Sequence, residues 1–276
     1  MDESFAESRE VSVTEPLRQG DVLEAIDPKA SMWQRHLLVV TADCDFAYAK
    51  HRGRVTCVPL LTAENYLFEM QVPKIREQLA KPQVKELRQI LSKSSAPLIG
   101  DRRLREWPSE QEPLEIVKML NLQSAESQKA RSAFEAIRTL DKQADNLKET
   151  MRLLVEAQLI SANPPKRENA IKRVKEKLRE PYTQPPGDAL FLTTIGLGLD
   201  AGYFAYLRHI EQVWEPEISL APSHQDAAYR RISRMQDRFT HALVQKFAMV
   251  FMPIGLPKQY ENLRDLYADY LGSDLT

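Results

Sequence analysis

The sequence predicts an α+β fold: a small discontinuous β-barrel-like domain, a large inserted helical (coiled-coil-like) hairpin, and C-terminal helices. Three observations carry this expectation. Short runs rich in Val, Leu and Thr, separated by polar breaks, occupy residues 17–60, the pattern of strands. From about residue 73 to 180, Val, Ile and aromatic residues thin out while Glu, Lys, Gln, Leu and Ala dominate, a helix-forming composition. Strand character then returns from residue 187. The expected division is a flexible tail (1–16), a first β half (17–70), a helical insertion (71–182) and a second β half with two C-terminal helices (183–276). The two β segments are expected to share one sheet.

Taken in order, residues 1–16 show no periodicity and read as a mobile terminus. Val22, Leu23 and Ile26, then 37–41, then 55–60 supply strand cores. Thr62 is placed to N-cap a short helix, because Asn65 stands three residues on and Tyr66, Leu67 and Met70 share a face. Breaks are expected at Pro97, Pro108, Pro113 and the Pro164-Pro165 pair. Ala133, Ile137, Leu140, Ala144, Leu147, Met151, Leu154 and Gln158 recur four and three apart, which predicts one long helix over 123–162 with a heptad seam. That seam needs a partner. Ile75, Leu79, Leu87, Ile90 and Leu91 offer an internal one, in an antiparallel hairpin. The other reading is self-association or a protein partner docking on Ile137, Leu140, Leu147, Met151 and Leu154.

Pro181, Pro185, Pro186 and Gly187 then mark a linker. Residues 189–195 and 203–208 read as a hairpin around Gly196, Gly198 and Gly202, and 229–235 as a further strand. Those glycines have dinucleotide-like spacing, but Tyr203, Phe204 and Tyr206 follow where that motif needs a helix N-terminus. Phe239, Leu243, Phe247 and Val250 line one helix, ended by Gly255 and Pro257. Leu263, Leu266, Tyr267, Tyr270 and Leu271 line a second, with Gly272 past its end.

Composition narrows the function classes. With 38 Lys and Arg against 39 Asp and Glu, the net charge is -1, so no global field draws in nucleic acid or an anionic membrane. The longest apolar run, 247–256, is broken by Pro253 and falls short of the roughly 20 residues of a membrane span. The opening MDESFAESRE has no apolar leader core. Cys44 and Cys57 cannot build a disulfide framework, so a cytoplasmic location is expected. No GxSxG, HExxH, CxxC or GKS/T signature occurs, and the five histidines are scattered. Neither a metal nor a cofactor is expected.

Gly20-Asp21-Val22, then Arg35 ahead of Leu37-Leu38-Val39-Val40-Thr41, then Val58-Pro59-Leu60 with Thr62 resemble the opening of the MazF/PemK toxin family. The resemblance covers about 45 residues. It departs at His36, where that family usually has proline, and in the large helical region. It implies an SH3-like barrel and metal-independent cleavage of single-stranded RNA. By that resemblance Arg35 and Thr41 would be catalytic, a cation beside the phosphate and a hydroxyl orienting it. The plain reading of the same residues is an arginine flanking a strand and a β-branched residue packing in a sheet.

Three further groups are candidates. Asp43 and Asp45 would share one face of an extended strand end, with Cys44 opposite and His51 six residues on. Two carboxylates this close would bind a cation or hold a raised pKa, or else bond local amides in a loop. Cys44 with His36 or His51 would make a nucleophilic pair. On 164–180, seven cations against three carboxylates leave a local charge of +4. Among them Lys172, Arg173, Lys175 and Arg179 would face outward from the apolar stripe Ile171, Val174 and Leu178, suited to phosphate or to solvent. Arg230, Arg231, Arg234 and Arg238, flanked by Tyr229 and Phe239, have the mixture of an RNA or partner surface. Two functions therefore follow. One is a bacterial, cytoplasmic, non-catalytic protein-interaction module, within an anti-phage defence or toxin-type system. The other is a metal-independent endoribonuclease.

Overall fold

The computed structural model describes residues 6–94, 99–221, 227–252, 258–259, 262–263 and 266. The first β segment holds β1 (Ser8–Arg9), β2 (Asp21–Ala25), a helical turn α1 (Met32–Arg35), β3 (His36–Val39), a helical turn α2 (Asp43–Ala47) and β4 (Arg54–Thr62). The second holds β5 (Ala189–Leu192), β6 (Tyr203–Tyr206), β7 (Glu211–Trp214), β8 (Ile218–Ser219) and β9 (Tyr229–Met235), followed by α10 (Asp237–Val250). Both segments contribute to one sheet, ordered β1-β9-β2-β3-β4-β6-β5. Its pairs are antiparallel except for the short parallel pair β8 and β9.

The sheet curls into a half-barrel. β4 is long enough to serve two neighbours on one edge, pairing β7 over 54–57 and β6 over 60–62. At the far ends of the sheet, side chains bring the margins together. The buried Glu7 carboxylate accepts from Thr193 N at 2.8 Å, Thr193 Oγ1 at 2.5 Å and Thr194 N at 3.0 Å. The Ser233 hydroxyl donates to the Ile195 carbonyl.

Alternation along the strands sorts side chains between two cores. Val22, Leu38, Val40, Val58, Leu60, Tyr203, Ala205 and Met235 fill the inner face, and α10 covers it through Leu243, Phe239 and Phe247. Leu23, Leu37, Val39, Val55, Cys57, Val213 and Ile218 fill the other. Burial on both faces explains the unbroken run Leu37-Leu38-Val39-Val40, since a strand with one wet face would alternate.

Residues between the β segments are helical: α3 (Ala63–Tyr66), a π-helical turn (Leu67–Gln71), α4 (Val72–Leu91), α5 (Asp101–Glu110), α6 (Pro113–Leu120), α7 (Ser124–Asp141), α8 (Leu147–Ile160) and α9 (Arg167–Thr183). Thr62 caps α3, its hydroxyl accepting from Asn65 N at 3.2 Å. Leu87, Ile90, Leu104, Ile116, Phe134 and Ile137 form one helical core. Ile75, Leu140, Leu154, Val174 and Leu178 form another. Aromatic stacking of Tyr66 on Phe204, at 4.0 Å between centroids, joins the helices to β6.

Four expectations need correction, among them the break at Pro108, which lies within α5. The long helix over 123–162 is two helices, because the polar stretch 142–146 ends α7 and Asn146 starts α8 by accepting from Glu149 N at 2.8 Å. Of the two readings of its seam, the internal one holds: Ile137, Leu140 and Leu154 are buried in the chain's own core, with Leu147 and Met151 packed against it. The break at Pro181 falls later, at Gln184, because Pro181 sits in the last turn of α9, where its missing N–H forfeits a single ladder bond. The tail is built into the sheet from Glu7 onward, with Ser8 opposite Met235 and Arg9 opposite Arg234. The break at Pro97 and the stops at Gly255 and Pro257 lie outside the described residues. So does most of the helix expected at 263–271.

Candidate functional site

Arg35 and Thr41 occupy opposite ends of β3, on the order of 20 Å apart at an extended rise per residue, and the structure does not bring them together. Arg35 ends α1 and donates to the carbonyls of Asp27 at 3.0 Å and Pro28 at 3.2 Å, with a longer contact to Ala25 at 3.5 Å. Thr41 is buried; its hydroxyl accepts from Thr56 N at 2.7 Å, tying the end of β3 to β4.

Asp43, Cys44 and Asp45 lie in the helical turn α2 and not on an extended strand end, so the expected alternation of their side chains does not occur. The Asp43 carboxylate accepts from Arg18 Nη2 at 2.7 Å and Gln19 N at 2.9 Å. Burial works against its ionisation, but these two donors outweigh it and hold the carboxyl below its ordinary value. His51 spends both ring nitrogens, Nδ1 on the Asp45 carbonyl at 3.0 Å and Nε2 on Glu215 Oε2 at 2.7 Å. The Glu215 bond and then the Asp45 carbonyl raise its pKa. Buried His36 lies 3.7 Å from Glu24 and edge-on to Tyr203, and burial lowers its pKa. No hydrogen bond joins either imidazole to the exposed Cys44 thiol, whose contact is Asp45 Oδ1 at 3.7 Å. Among the described residues, no three His, Cys, Asp or Glu side chains are grouped to hold a metal ion.

Two of the β9 arginines expected on an RNA or partner surface, Arg231 and Arg234, have their guanidinium groups turned into the fold. Arg234 meets the fully buried Asp21 at 2.6 and 3.0 Å, Glu15 at 2.8 Å and the Pro16 carbonyl at 2.7 Å. Arg231, also buried, donates to the carbonyls of Ser12, Glu15 and Pro16 at 2.8 to 3.1 Å. Hydrogen bonding from Arg9 holds the Glu15 carboxyl down to about 2, keeping the outer partner charged. Arg230 pairs with Glu24 at 2.6 Å, and Arg238 lies over the Phe239 ring. On α9, Lys172, Arg173, Lys175 and Arg179 are exposed. Lys172 faces Glu176 at 3.9 Å and Arg173 reaches Gln158 at 3.3 Å.

The loop from α2 into β4, where the sequence pattern pointed to His51 alone, holds a second group. It carries Lys50, Arg52 and Arg54, all exposed and, among the described residues, none paired with a carboxylate, beside Tyr48, 74% exposed. β7 lays Trp214, 46% exposed, against it. The Arg54 guanidinium sits 4.6 Å above the Trp214 ring and Lys50 Nζ 5.3 Å from the Tyr48 ring. Ala49 and Arg52 hold positive φ values of 51° and 50°. Gly53, at φ 73°, lets the backbone run close over Trp214, since a Cβ there would stand 3.2 Å from the ring. The basic run 50–54 next to a tyrosine was a readable signal; Trp214, some 160 residues away, was not.

The fold and these surfaces define a mixed α+β protein built on a curled half-barrel sheet. Compared with known protein families, curated proteins and solved structures, the chain matches none.

Proposed function

We propose that this chain is a non-catalytic interaction module, with the helical residues inserted between the two halves of a barrel-like β unit to brace it. The observation that carries the reading is how the candidate catalytic groups are used. Arg35 bonds loop carbonyls through its Nη atoms and Thr41 bonds a neighbouring strand, so both side chains are used in holding the fold. Cleavage by an arginine and a nearby hydroxyl asks for both at one phosphate, and these two stand at opposite ends of a strand. With the heptad seam buried, a partner would be met on the outer surface of the β unit. Two free cysteines suit a reducing compartment, which supports a cytoplasmic setting.

The test is incubation of end-labelled single-stranded RNA with the protein in EDTA, alongside Arg35→Ala. The expected result is intact RNA with both proteins. Cutting by the wild type that disappears in folded Arg35→Ala would overturn the reading in favour of a ribonuclease.

A further inference from the structure

We infer that the loop 48–54, together with Trp214, is a binding site for single-stranded nucleic acid. This names a ligand class for the interaction module and stands on its own geometry. Three unpaired cations within five residues would each displace a counterion from a phosphate, a contact whose affinity falls steeply with salt. Two exposed rings supply the complementary element, because unpaired bases stack on aromatic faces and a guanidinium lying on a ring extends that platform. A duplex hides its base faces, so the rings select for a single strand.

The loop is also held in shape before any ligand arrives. Non-glycine residues at positive φ cost of order 1–3 kcal/mol and persist where surrounding contacts over-determine them. Here the Lys50 amide bonds the Asp45 carbonyl at 2.9 Å, the Arg54 amide bonds the His51 carbonyl at 2.9 Å, and the Glu215 amide bonds the Gly53 carbonyl at 2.8 Å. The His51 ring, nearly buried between Asp45 and Glu215, clasps the loop from beneath. Glu215, its side chain 45% exposed, is bonded to His51 in that clasp, and the three loop cations outnumber it. Lys172 and Lys177 on the rival basic helix α9, by contrast, each face a glutamate on the same helix.

The experiment is fluorescence anisotropy of labelled oligo(U), oligo(dT) and a DNA duplex with the full chain at low and moderate salt. It compares wild type, Lys50→Ala/Arg52→Gly, Tyr48→Ser and, on α9, Lys172→Ala/Lys175→Ala. Glycine at 52 keeps the backbone conformation while removing the charge, and circular dichroism checks that each variant is folded. The expected result is single-strand binding tighter than duplex binding. Affinity should fall about tenfold or more in the loop double variant, with the salt slope reduced by about 0.7 per cation removed. Tyr48→Ser should weaken binding and the α9 variant should leave it unchanged. Oligo(U) against oligo(dT) separates an RNA from a DNA ligand. Absence of single-strand binding, preference for duplex, or loss only in the α9 variant would overturn the proposal. A denaturing gel of the same RNA samples keeps the two readings distinct: cut RNA would overturn the non-catalytic reading while loop-dependent binding still stood.

Discussion

Arg231 and Arg234 differ from Arg52 in where their guanidinium groups are spent. The first two are buried against Asp21 and backbone carbonyls, where losing a partner leaves an uncompensated charge. Arg52 is exposed and has no carboxylate partner among the described residues. Residue type and spacing could not separate these cases, because the carboxylates that neutralise β9 come from residues more than 200 positions earlier. At the same scale, His51 gives a pH prediction. Its folded pKa is raised by Glu215 and the Asp45 carbonyl, so the clasp's stabilisation is fully present below the unfolded value near 6.5 and is lost as pH rises through the higher folded value. His36 runs the opposite way, its burial costing stability as pH falls. The ring resonances of His51 should titrate above those of an exposed histidine by NMR. Glu215→Gln should bring that midpoint down and flatten the loss of stability above neutral pH.

Elements were legible where local physics decides them. The buried runs of β2, β3 and β4, the Thr62 cap and the α10 stripe follow from patterns a few residues long. The break between α7 and α8 was also readable: Asn146 with Glu149 three residues on is a helix-start signal, and the heptad spacing running across it concealed the stop. What distinguishes one helix from two is a side-chain bond to a free amide, and Asn146→Ala removes it. That change should cost about 1 kcal/mol, measured by urea denaturation, with no change in helical content elsewhere. β1 and β8 were not legible because two residues carry too little pattern, and β7 because Glu211 and Gln212 leave it only two apolar positions; their partners on β9 and β4 define all three. The candidate site shows the same division. Its cations were in plain view, while its second ring arrives only through β4 and β7 pairing.

At the scale of the whole molecule, the first segment is a strap across β9. Glu7 closes the half-barrel margin, β1 extends the sheet, and Glu15 with the carbonyls of Ser12 and Pro16 satisfies two buried arginines. Removing residues 1–16 would leave Arg231 and Arg234 with Asp21 as their remaining acidic partner. The expected loss is about 3 kcal/mol or more, read as a lower urea midpoint; an unchanged midpoint would show that the strap contributes little. The pairing of β2 with β9 has a further consequence for how the chain is made. During synthesis β2, β3 and β4 leave the ribosome first, apolar on both faces, while β9 is still unmade. The helices between them can settle early from local contacts, but the sheet must wait for a partner more than 200 residues behind. The earliest strands are thus among the last to be buried, and in that interval they are what a chaperone would hold.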